Sequence, residues 1–309
     1  MFEFKRYNYR HFTKDLLMND VLLKRFGGPK PGERAPNFKA RTLDGEEIEL
    51  GDYRGEKNVV LTFGSATCVA TANCIGGMNE LYEQYAGDDV EFLFCYVREA
   101  HPGERLPAHA SMEHKVRAAQ VFRDEEEVRM PIIVDDVHGS IHKKYGKLRN
   151  ATFIIDKSGR VAFRAVWTRP GVIEDALEEL LERQRERDVE HAIVNGGEDV
   201  ALPRGAMLHA YRALQRGGKT AIREFKREMG VPGQVAIATG RMVQPIAENP
   251  AKSALLAGAT AGVVIGAVLL GRFLRERRFR TRTPYDIEGL GIPRRSSHGD
   301  HGDYEAVGI

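Results

Sequence analysis

The sequence has few cysteines, and their pattern excludes a disulfide-stabilised scaffold. Three cysteines occur in 309 residues, and an odd number at irregular spacing does not match the paired frameworks of small secreted domains. A reducing compartment with one reactive thiol fits this usage better. The candidates are Cys68, Cys74 and Cys95.

A strong net charge and an export signal are also lacking. The formal net charge is +2, which gives no indication of a nucleic-acid partner. Residues 1–17 carry scattered charges and no apolar core of signal-peptide length. We therefore expect the main domain to stay in the cytoplasm. The chain is 42% hydrophobic and 29% charged, as in ordinary globular proteins, so wholesale disorder is excluded.

The sequence has few long apolar runs, and one of them is long enough to cross a membrane. Residues 253–271 contain no charged residue and lie between Lys252 and Arg272. At about 1.5 Å per residue, such a helix just crosses a hydrocarbon core of about 30 Å. We predict a transmembrane helix here and therefore a lipid membrane as a partner. A buried helix rich in alanine and glycine is the alternative.

The flanks and glycines of this run suggest its topology and packing. Glycines recur every four residues, a pattern that favours close packing of two membrane helices and leaves a homodimer open. Six arginines follow within 272–282. The positive-inside rule would place them in the cytoplasm, which conflicts with an N-terminal domain that has no export signal. We expect a cytoplasmic domain tethered to the membrane, with the arginines near lipid phosphates. The glycines are Gly258, Gly262 and Gly266.

Composition divides the chain into successive segments. A Gly/Pro-rich stretch, GGPKPGERAP, ends a first helical arm, and polar, glycine-rich sequences follow the main domain and end the chain. VPGQ at 231–234 is expected to start a second linker. The expected segments are the arm over 1–26, the main domain over 27–187, a linker and helical segment over 188–252, the span over 253–271, and a basic, then disordered tail over 272–309.

The main domain alternates short apolar strands with helices, which predicts a thioredoxin-like α/β fold. Continuous apolar strands indicate a mostly parallel sheet buried on both faces by helices. The DKSG turn at 156–159 predicts a closing antiparallel hairpin, so the central sheet is mixed. Asp44-Gly45 predicts another hairpin. Strands are expected over 58–64, 90–97, 131–134, 152–156 and 160–166, and helices over 68–86, 111–123, 138–145, 170–187 and 206–229, the last interrupted at Gly217-Gly218.

Cys68 is the strongest candidate for chemistry. It follows a buried strand and lies where a helix begins, so the helix N-terminus and the neighbouring donors Ser65 and Thr67 should stabilise a thiolate. Such surroundings lower a cysteine pKa from about 8.5. A buried, inert thiol is the alternative.

The other two cysteines are weaker candidates. Cys74 lies six residues after Cys68, about 600° around a helix. A disulfide between them would require the first helical turn to unwind, so Cys74 is either a resolving cysteine or a core thiol. Cys95 is most simply a strand core residue.

Polar residues follow the second core strand. Ligands bind beyond the carboxyl ends of strands in open α/β sheets, so Glu99 and His101 are expected to face Cys68. An imidazole can exchange a proton with the thiol, and a carboxylate can orient that imidazole or raise its pKa. His109 follows in a loop that ends at Ser111, a predicted helix N-cap. A polar loop without a role is the alternative.

The motifs PGERAPNF, LTFGSATC, FLFCYVREAHPGE, PAHASMEHKVRAA and YGKLRNATFIIDKSGRVAF, in this order, resemble the iodothyronine deiodinase family and its bacterial redoxin-like relatives. The resemblance covers about residues 27–185. It implies a thioredoxin-like fold and reductive chemistry with Cys68 at the position of selenocysteine, regenerated by thiols. It also implies that Ser65 and Thr67 flank the nucleophile. Glu99, His101 and His109 correspond to polar residues of the family's site.

The residues and the resemblance together predict a thiol-dependent oxidoreductase acting on a peroxide, a disulfide or a halogenated aromatic, with a thiol reductant and no cofactor. The CxxC pair of reductases is absent, because Val69, Ala70 and Thr71 follow Cys68. A membrane-anchored, non-catalytic module that binds a partner or senses redox state is the alternative. A metal site built from Glu99, His101 and His109 is a weaker one, because their spacing matches no standard ligand pattern.

Overall fold

The computed structural model describes residues 7–16, 18, 27–87, 89–203 and 205–247. All of them belong to a compact unit that runs from Met1 to Glu248. The predicted membrane span over 253–271, its glycines and the tail over 272–309 lie outside the described residues. In the part that is described, none of the helices combines the length and the hydropathy needed to cross a bilayer.

Six strands form a mixed central sheet, as the sequence predicts. Their order is β5-β4-β3-β6-β7-β8. β3 pairs with β4 and β4 with β5 in parallel, whereas β6 is antiparallel to both β3 and β7. Their bounds are β3 (Asn58–Gly64), β4 (Val90–Tyr96), β5 (Ile132–Val134), β6 (Thr152–Ile155), β7 (Val161–Ala165) and β8 (Glu198–Asp199).

Helices cover both faces of this sheet, which confirms the thioredoxin-like architecture. Alternate residues of each strand point to opposite faces, so Val60 packs in one apolar cluster while Val59 and Leu61 pack in the other. The first cluster includes side chains of three helices, and the second includes those of one short helix together with Ala70. They are α1 (Val69–Tyr85), α2 (Met112–Glu125) and α4 (Pro170–Arg187) on the first face, and α3 (Ser140–Lys144) on the second.

The predicted hairpin and N-cap are both present. β1 (Lys39–Arg41) and β2 (Glu47–Glu49) pair antiparallel as a separate two-stranded sheet. Gly45 in the turn has a φ of 92°, a conformation that glycine adopts without steric cost. Ser111 accepts a hydrogen bond from the His114 N–H and begins α2.

The segment after residue 188 is more ordered than the sequence predicts. Glu198 and Asp199, placed in a linker by composition, form β8 and pair parallel with β7. Arg164 binds Glu198, and the Arg169 Nε lies 2.8 Å from Asp199. These ion pairs with charged residues of the core domain hold the segment against the sheet edge, which local composition does not reveal.

The C-terminal helices also depart from the prediction in one place. α5 (Ala210–Gly217) ends at the predicted interruption, where Gly218 has a φ of 96°. α6 (Lys219–Ala247) is kinked at Gly230 and then continues through VPGQ, so the linker predicted at 231–234 is wrong. Pro232 lies in the first turn after the kink. Backbone N–H groups in a first turn have no partner within the helix, so the absence of an N–H in proline costs no hydrogen bond there.

The described part of the N-terminal arm is only partly helical. Residues 7–13 form bends and irregular backbone, and helix is present at 14–16. Tyr9 and Phe12 are buried, and the Phe12 N–H donates to Glu224 Oε2 at 3.0 Å. Such long-range contacts replace the local hydrogen bonds that a helix would make, so the arm packs on the domain.

Candidate functional site

Cys68 lies at the junction between β3 and α1, as expected. It is the N-cap residue of α1, with an extended backbone (φ −82°, ψ 118°), and its N–H donates to Ser65 O at 3.1 Å. A Cβ at Gly64 would lie 2.6 Å from Thr71 Oγ1, so only glycine lets the end of the strand approach the first turn of the helix this closely. The sequence thus places the thiol at a helix N-terminus.

The thiol itself is buried, and this changes its expected acidity. Cys68 is 3% exposed. Burial raises the pKa of Cys68 above its usual value, although hydrogen bonds from the Thr71 hydroxyl and from backbone N–H groups, together with the charge of Arg149, act to lower it. The predicted lowering of the pKa is therefore wrong for this conformation, because the cost of burying a thiolate exceeds the stabilisation by the helix N-terminus.

Glu99 is the centre of a buried hydrogen-bond network beside the loop that carries Cys68. Its carboxylate accepts from the Thr67 N–H at 3.0 Å and from the Thr67 hydroxyl at 2.6 Å, and also from the Tyr96 hydroxyl. His109 Nε2 lies 3.4 Å from Glu99 Oε1, and both side chains are buried. Burial alone would raise the pKa of Glu99, but His109, Thr67 and Tyr96 outweigh it and the pKa is lowered. Glu99 is thus an anion held by fixed donors.

His101 occupies a different environment from the one expected. Its ring packs between Phe12, with centroids 4.2 Å apart, and Phe225, at 5.4 Å. Burial, together with the charge of Arg149, lowers the pKa of His101 well below its usual value. Among the described residues its Nδ1 has no hydrogen-bond partner. Glu99 pairs with His109 instead, so the expectation that Glu99 orients His101 or raises its pKa is wrong.

Thr67 and Ser65 connect these elements to the Cys68 loop. The Thr67 hydroxyl donates to Glu99 and accepts from the His101 N–H at 3.0 Å. Ser65 Oγ accepts from the Ala100 N–H at 3.2 Å. The loop before α1 and the loop after β4 are therefore fixed to each other by both predicted hydroxyls, which brings Glu99 and His101 next to the residue that precedes Cys68.

Cys74 and Cys95 are core thiols in this structure. Cys74 belongs to the apolar cluster on the α1 face, whereas Cys68 packs in the cluster on the opposite face. Cys74 Sγ donates to Thr71 O at 3.4 Å, and burial raises its pKa to about 12. All three cysteines are free and buried. A Cys68–Cys74 disulfide would require α1 to unwind.

Sequence reasoning missed two residues of the site, Tyr96 and Arg149. Tyr96 ends β4, in an aromatic run that is typical of a strand buried in the core. A buried tyrosine hydroxyl needs a hydrogen-bond partner, and this requirement could have identified Tyr96 as a residue of the site. Arg149 is 6% exposed, and its charge acts on both Cys68 and His101. The sequence alone places Arg149 just before β6, but the proximity of Arg149 to the Cys68 thiol depends on the order of the strands in the sheet.

The two ends of the described chain cover this site. Phe12 packs in one apolar cluster with Val69 and Ala72 of α1 and with Phe225 of α6. The Tyr9 hydroxyl donates to Ala100 O at 2.8 Å. The cover therefore encloses His101 and packs against the first turn of α1, which follows Cys68.

The sequence leaves a metal site at Glu99, His101 and His109 as a weaker alternative. Within the described ranges, no three His, Cys, Asp or Glu side chains are arranged so that they could bind a metal ion. The alternative of a metal site at Glu99, His101 and His109 is contradicted, because the His101 ring lies in the aromatic contact and not beside Glu99.

Part of the chain is similar to a known protein family. Residues 31–164 match the sequence profile of the AhpC/TSA family. The chain is 32% identical over 131 residues to the thiol-disulfide oxidoreductase ResA of Bacillus cereus, covering 42% of this chain and 66% of that protein. It is 30% identical over 172 residues to thyroxine 5-deiodinase of Ovis aries, covering 52% of this chain and 56% of that protein. The chain thus spans about two thirds of one relative and about half of the other.

Solved structures resemble the chain over about half its length. A putative protein disulfide isomerase from Bacteroides thetaiotaomicron aligns with a TM-score of 0.41 and 17% identity, covering 53% of this chain and 96% of that one. A putative thiol:disulfide interchange protein DsbE from Chlorobium tepidum aligns with a TM-score of 0.39 and 23% identity, covering 50% and 95%. Likenesses at this level carry no information on function.

Proposed function

The domain over residues 31–164 belongs to the AhpC/TSA family of thioredoxin-like redoxins, and we propose that this protein is a thiol-dependent oxidoreductase with Cys68 as its nucleophile. The observation that carries the proposal is the position of Cys68. It lies at a helix N-terminus, next to hydroxyl and backbone donors and the positive charge of Arg149. These groups stabilise a thiolate once burial is relieved.

The neighbouring polar groups are suited to proton transfer. In the proposed reaction His101 is neutral at pH 7, since burial and the charge of Arg149 lower its pKa, and it accepts the thiol proton once burial of the ring is relieved, because burial is the main cause that weakens it as a base. Glu99 and His109 hold the Thr67 hydroxyl and the loop before Cys68 in place. His101 is thus the proposed base, and Glu99, His109, Ser65 and Thr67 are positioning residues.

The proposed substrates are a peroxide, a disulfide or a halogenated aromatic. The names of the relatives support the last two, thiol-disulfide oxidoreductase and thyroxine 5-deiodinase. A single nucleophile without a CxxC partner needs a thiol from outside, unless α1 unwinds and Cys74 resolves the oxidised Cys68. Of the three substrates, hydrogen peroxide makes the smallest demand on access to a buried thiol.

The test is turnover by wild type and Cys68→Ser with hydrogen peroxide, a small disulfide and an iodinated phenol. We expect wild type to consume at least one of them in the presence of a thiol, and Cys68→Ser to lose about a thousandfold or more of that rate. Cys95→Ala is the matched control, because Cys95 lies in the strand core, and it should keep kcat. Equal rates for wild type and Cys68→Ser would overturn the proposal.

The burial of Cys68 favours a second candidate, a non-catalytic module that binds a partner or senses redox state. A buried thiol with a raised pKa reacts slowly. If wild type turns over none of the three substrates, but Cys68 is oxidised stoichiometrically by peroxide and binding of a partner changes with it, the second candidate replaces the first.

We also propose that the protein is anchored to a membrane through 253–271, with its redox domain on the cytoplasmic side. The support is the length of the uncharged run and its basic flank. Gly258, Gly262 and Gly266 would form the contact of a homodimer in the bilayer.

A further inference from the structure

Thr71 lies one helical turn after Cys68, at a position from which its side chain reaches the sulfur. Cys68 is the N-cap residue of α1, and Thr71 is the third residue of the helix. Side chains at these two positions of a helix meet, as they do in a capping box. The hydroxyl and the backbone N–H of Thr71 both hydrogen-bond to Cys68. Thr71 is fully buried, so water does not compete for its hydroxyl.

A buried amide fixes the direction of the Thr71 hydroxyl. Asn150 Nδ2 lies 3.3 Å from Thr71 Oγ1, and Asn150 Oδ1 accepts from the Thr168 N–H at 3.2 Å. The second contact decides which end of the amide faces Thr71, because a backbone N–H needs the carbonyl oxygen as its acceptor. Since Nδ2 can only donate, Thr71 Oγ1 accepts this hydrogen bond and its own hydrogen points away from the amide. That hydrogen is then available for Cys68.

Asn150 itself is held by three parts of the fold. Its backbone O accepts from the Thr168 N–H at 3.0 Å. Its Nδ2 lies 3.4 Å from Phe63 O of β3 and 3.5 Å from Cys74 Sγ of α1. Asn150 is fully buried. The amide is therefore fixed in place and cannot turn together with the Thr71 hydroxyl.

The charged and titratable groups that act on Cys68 come from two elements. Burial raises the pKa of Cys68, and the charge of Arg149, in the loop before β6, acts to lower it. Cys74 of α1 remains a neutral thiol, because burial and then the nearby Cys68 raise its pKa to about 12. The contact with Arg149 depends on the packing of a separate loop. Thr71 is in the same helical turn as Cys68, so its contact with the sulfur persists when neighbouring elements move to admit a reactant.

We propose that the Thr71 hydroxyl is the hydrogen-bond donor that stabilises the Cys68 thiolate, and that Asn150 is the positioning residue that orients this hydroxyl. The proposal rests on the proposed function, in which Cys68 is the nucleophile. Thr71 is the fourth residue counted from Cys68, where a CxxC pair has its second thiol. A hydroxyl at this position donates to a thiolate but forms no disulfide. Thr71 thus activates the nucleophile and takes no part in resolving its oxidised form.

The acidity of Cys68 in matched variants tests the donor. Thr71→Val keeps the shape of the side chain and removes the hydroxyl, so the pKa of Cys68 should rise by about one unit, the size expected for a hydrogen bond to a charged group. Alkylation of Cys68 by iodoacetamide should then be about tenfold slower near neutral pH and approach the wild-type rate at high pH. Thr71→Ser restores the hydroxyl and should restore the profile. Mass spectrometry of the peptide that contains Cys68 gives the rate at each pH.

Thr62→Val is the control. Thr62 is another buried threonine, in β3, and its hydroxyl pairs with that of Thr152, which keeps its contact with Thr168 when the Thr62 hydroxyl is lost. This variant should leave the pH profile of Cys68 unchanged. An unchanged profile in Thr71→Val, or a shift that Thr71→Ser does not reverse, would overturn the proposal. A shift of the same size in Thr62→Val would overturn it as well, because the effect would then be common to lost buried hydroxyls.

A second substitution tests the role of Asn150. Asn150→Asp keeps the oxygen that accepts from the Thr168 N–H and replaces the amide donor beside Thr71 with a carboxylate oxygen. The carboxylate attracts the hydroxyl hydrogen away from the sulfur, and its charge adds to the effect, so the pKa of Cys68 should rise. In the Thr71→Val background only the effect of the charge remains, so the rise should be smaller. Equal rises in the two backgrounds, or no rise in either, would overturn the role of Asn150.

These measurements need no turnover, so they separate this proposal from the proposed function. A pKa of Cys68 that depends on Thr71 supports the donor even if wild type consumes none of the substrates. If wild type is active, its kcat/KM should follow the same profile, with Thr71→Val losing about tenfold near neutral pH and little at high pH. An active enzyme in which the pKa of Cys68 does not depend on Thr71 would keep the proposed function and overturn the donor.

Discussion

Glu99 and His101 lie two residues apart, yet burial affects their charges in different ways. Glu99 stays ionised because Thr67, Tyr96 and His109 offset the cost of burial and lower its pKa. Burial of His101 among aromatic rings, together with the charge of Arg149, lowers its pKa and keeps it neutral. For both groups the folded pKa is below the unfolded one. Each therefore contributes stability above its unfolded pKa that is lost as the pH falls.

The neutral state of His101 predicts a pH-dependent stability. The unfolded chain binds a proton at this residue below about pH 6.5 while the folded chain does not, so the free energy of unfolding falls by up to about 1.4 kcal/mol per pH unit. His101→Phe keeps a ring between Phe12 and Phe225 and should flatten the profile between pH 7 and pH 5. Urea unfolding at several pH values measures this.

The control for this profile is His114→Gln, because His114 is exposed on α2. It should keep the pH dependence of wild type. His142, which is also buried with a lowered pKa, contributes a similar slope to every variant. A His101→Phe profile parallel to that of wild type would contradict the assignment of a buried neutral imidazole.

At the scale of elements, the N-terminal segment and the helices α5 and α6 cover the site together. Glu224 of α6 accepts from the Phe12 N–H and lies 2.6 Å from His11 Nδ1, and Glu228 accepts from the Lys14 N–H at 3.1 Å. Two carboxylates of one helix thus hold residues 11–14 and keep Phe12 on His101. This cover encloses His101 and packs against Val69, the residue that follows Cys68.

Loosening the cover should expose Cys68. Truncating a buried phenylalanine typically costs about 3–5 kcal/mol, and here that loss falls on a terminal contact, so local opening becomes more frequent. Phe12→Ala should raise the rate of Cys68 alkylation by iodoacetamide at least about tenfold. The modified residue is identified by mass spectrometry well below the unfolding midpoint.

Glu224→Gln weakens the contact between α6 and the Phe12 backbone without removing core volume. It should therefore raise the rate of Cys68 alkylation by less than Phe12→Ala does. Lys14→Ala is the matched control, because only the backbone N–H of Lys14 makes the contact with Glu228. If both Phe12→Ala and Glu224→Gln react at the wild-type rate, access to Cys68 does not depend on this cover.

At the scale of the whole molecule, the described unit ends at Glu248, and the proposed membrane anchor follows it in the sequence. A charged residue at the centre of a membrane helix costs about 2.5–3.5 kcal/mol. Val264→Arg should therefore move full-length protein from the carbonate-washed membrane fraction to the supernatant. Thr281→Arg adds the same charge outside the run and should not. Wild type in the supernatant without detergent would contradict the anchor.

Much of the domain follows from local sequence patterns. Apolar strands such as Asn58–Gly64 and the alternation with helices determine a mixed sheet covered on both faces, because both patterns act within a few residues. The same local reasoning places Cys68 at a helix N-terminus and Ser111 at an N-cap. It also predicts the break at Gly217-Gly218, where the backbone needs a conformation that glycine tolerates.

Only the tertiary structure decided the chemistry around the thiol. Burial of His101 depends on Phe12 and Phe225, which are 89 residues before it and 124 residues after it in the sequence, and no local pattern indicates that contact. The pairing of Glu99 with His109 instead of His101, and the approach of Arg149, depend on which loops the sheet order brings together. A pKa is set by all neighbours and by burial at once. The sequence could therefore single out Cys68 by its position, but it could not give the acidity of the thiol.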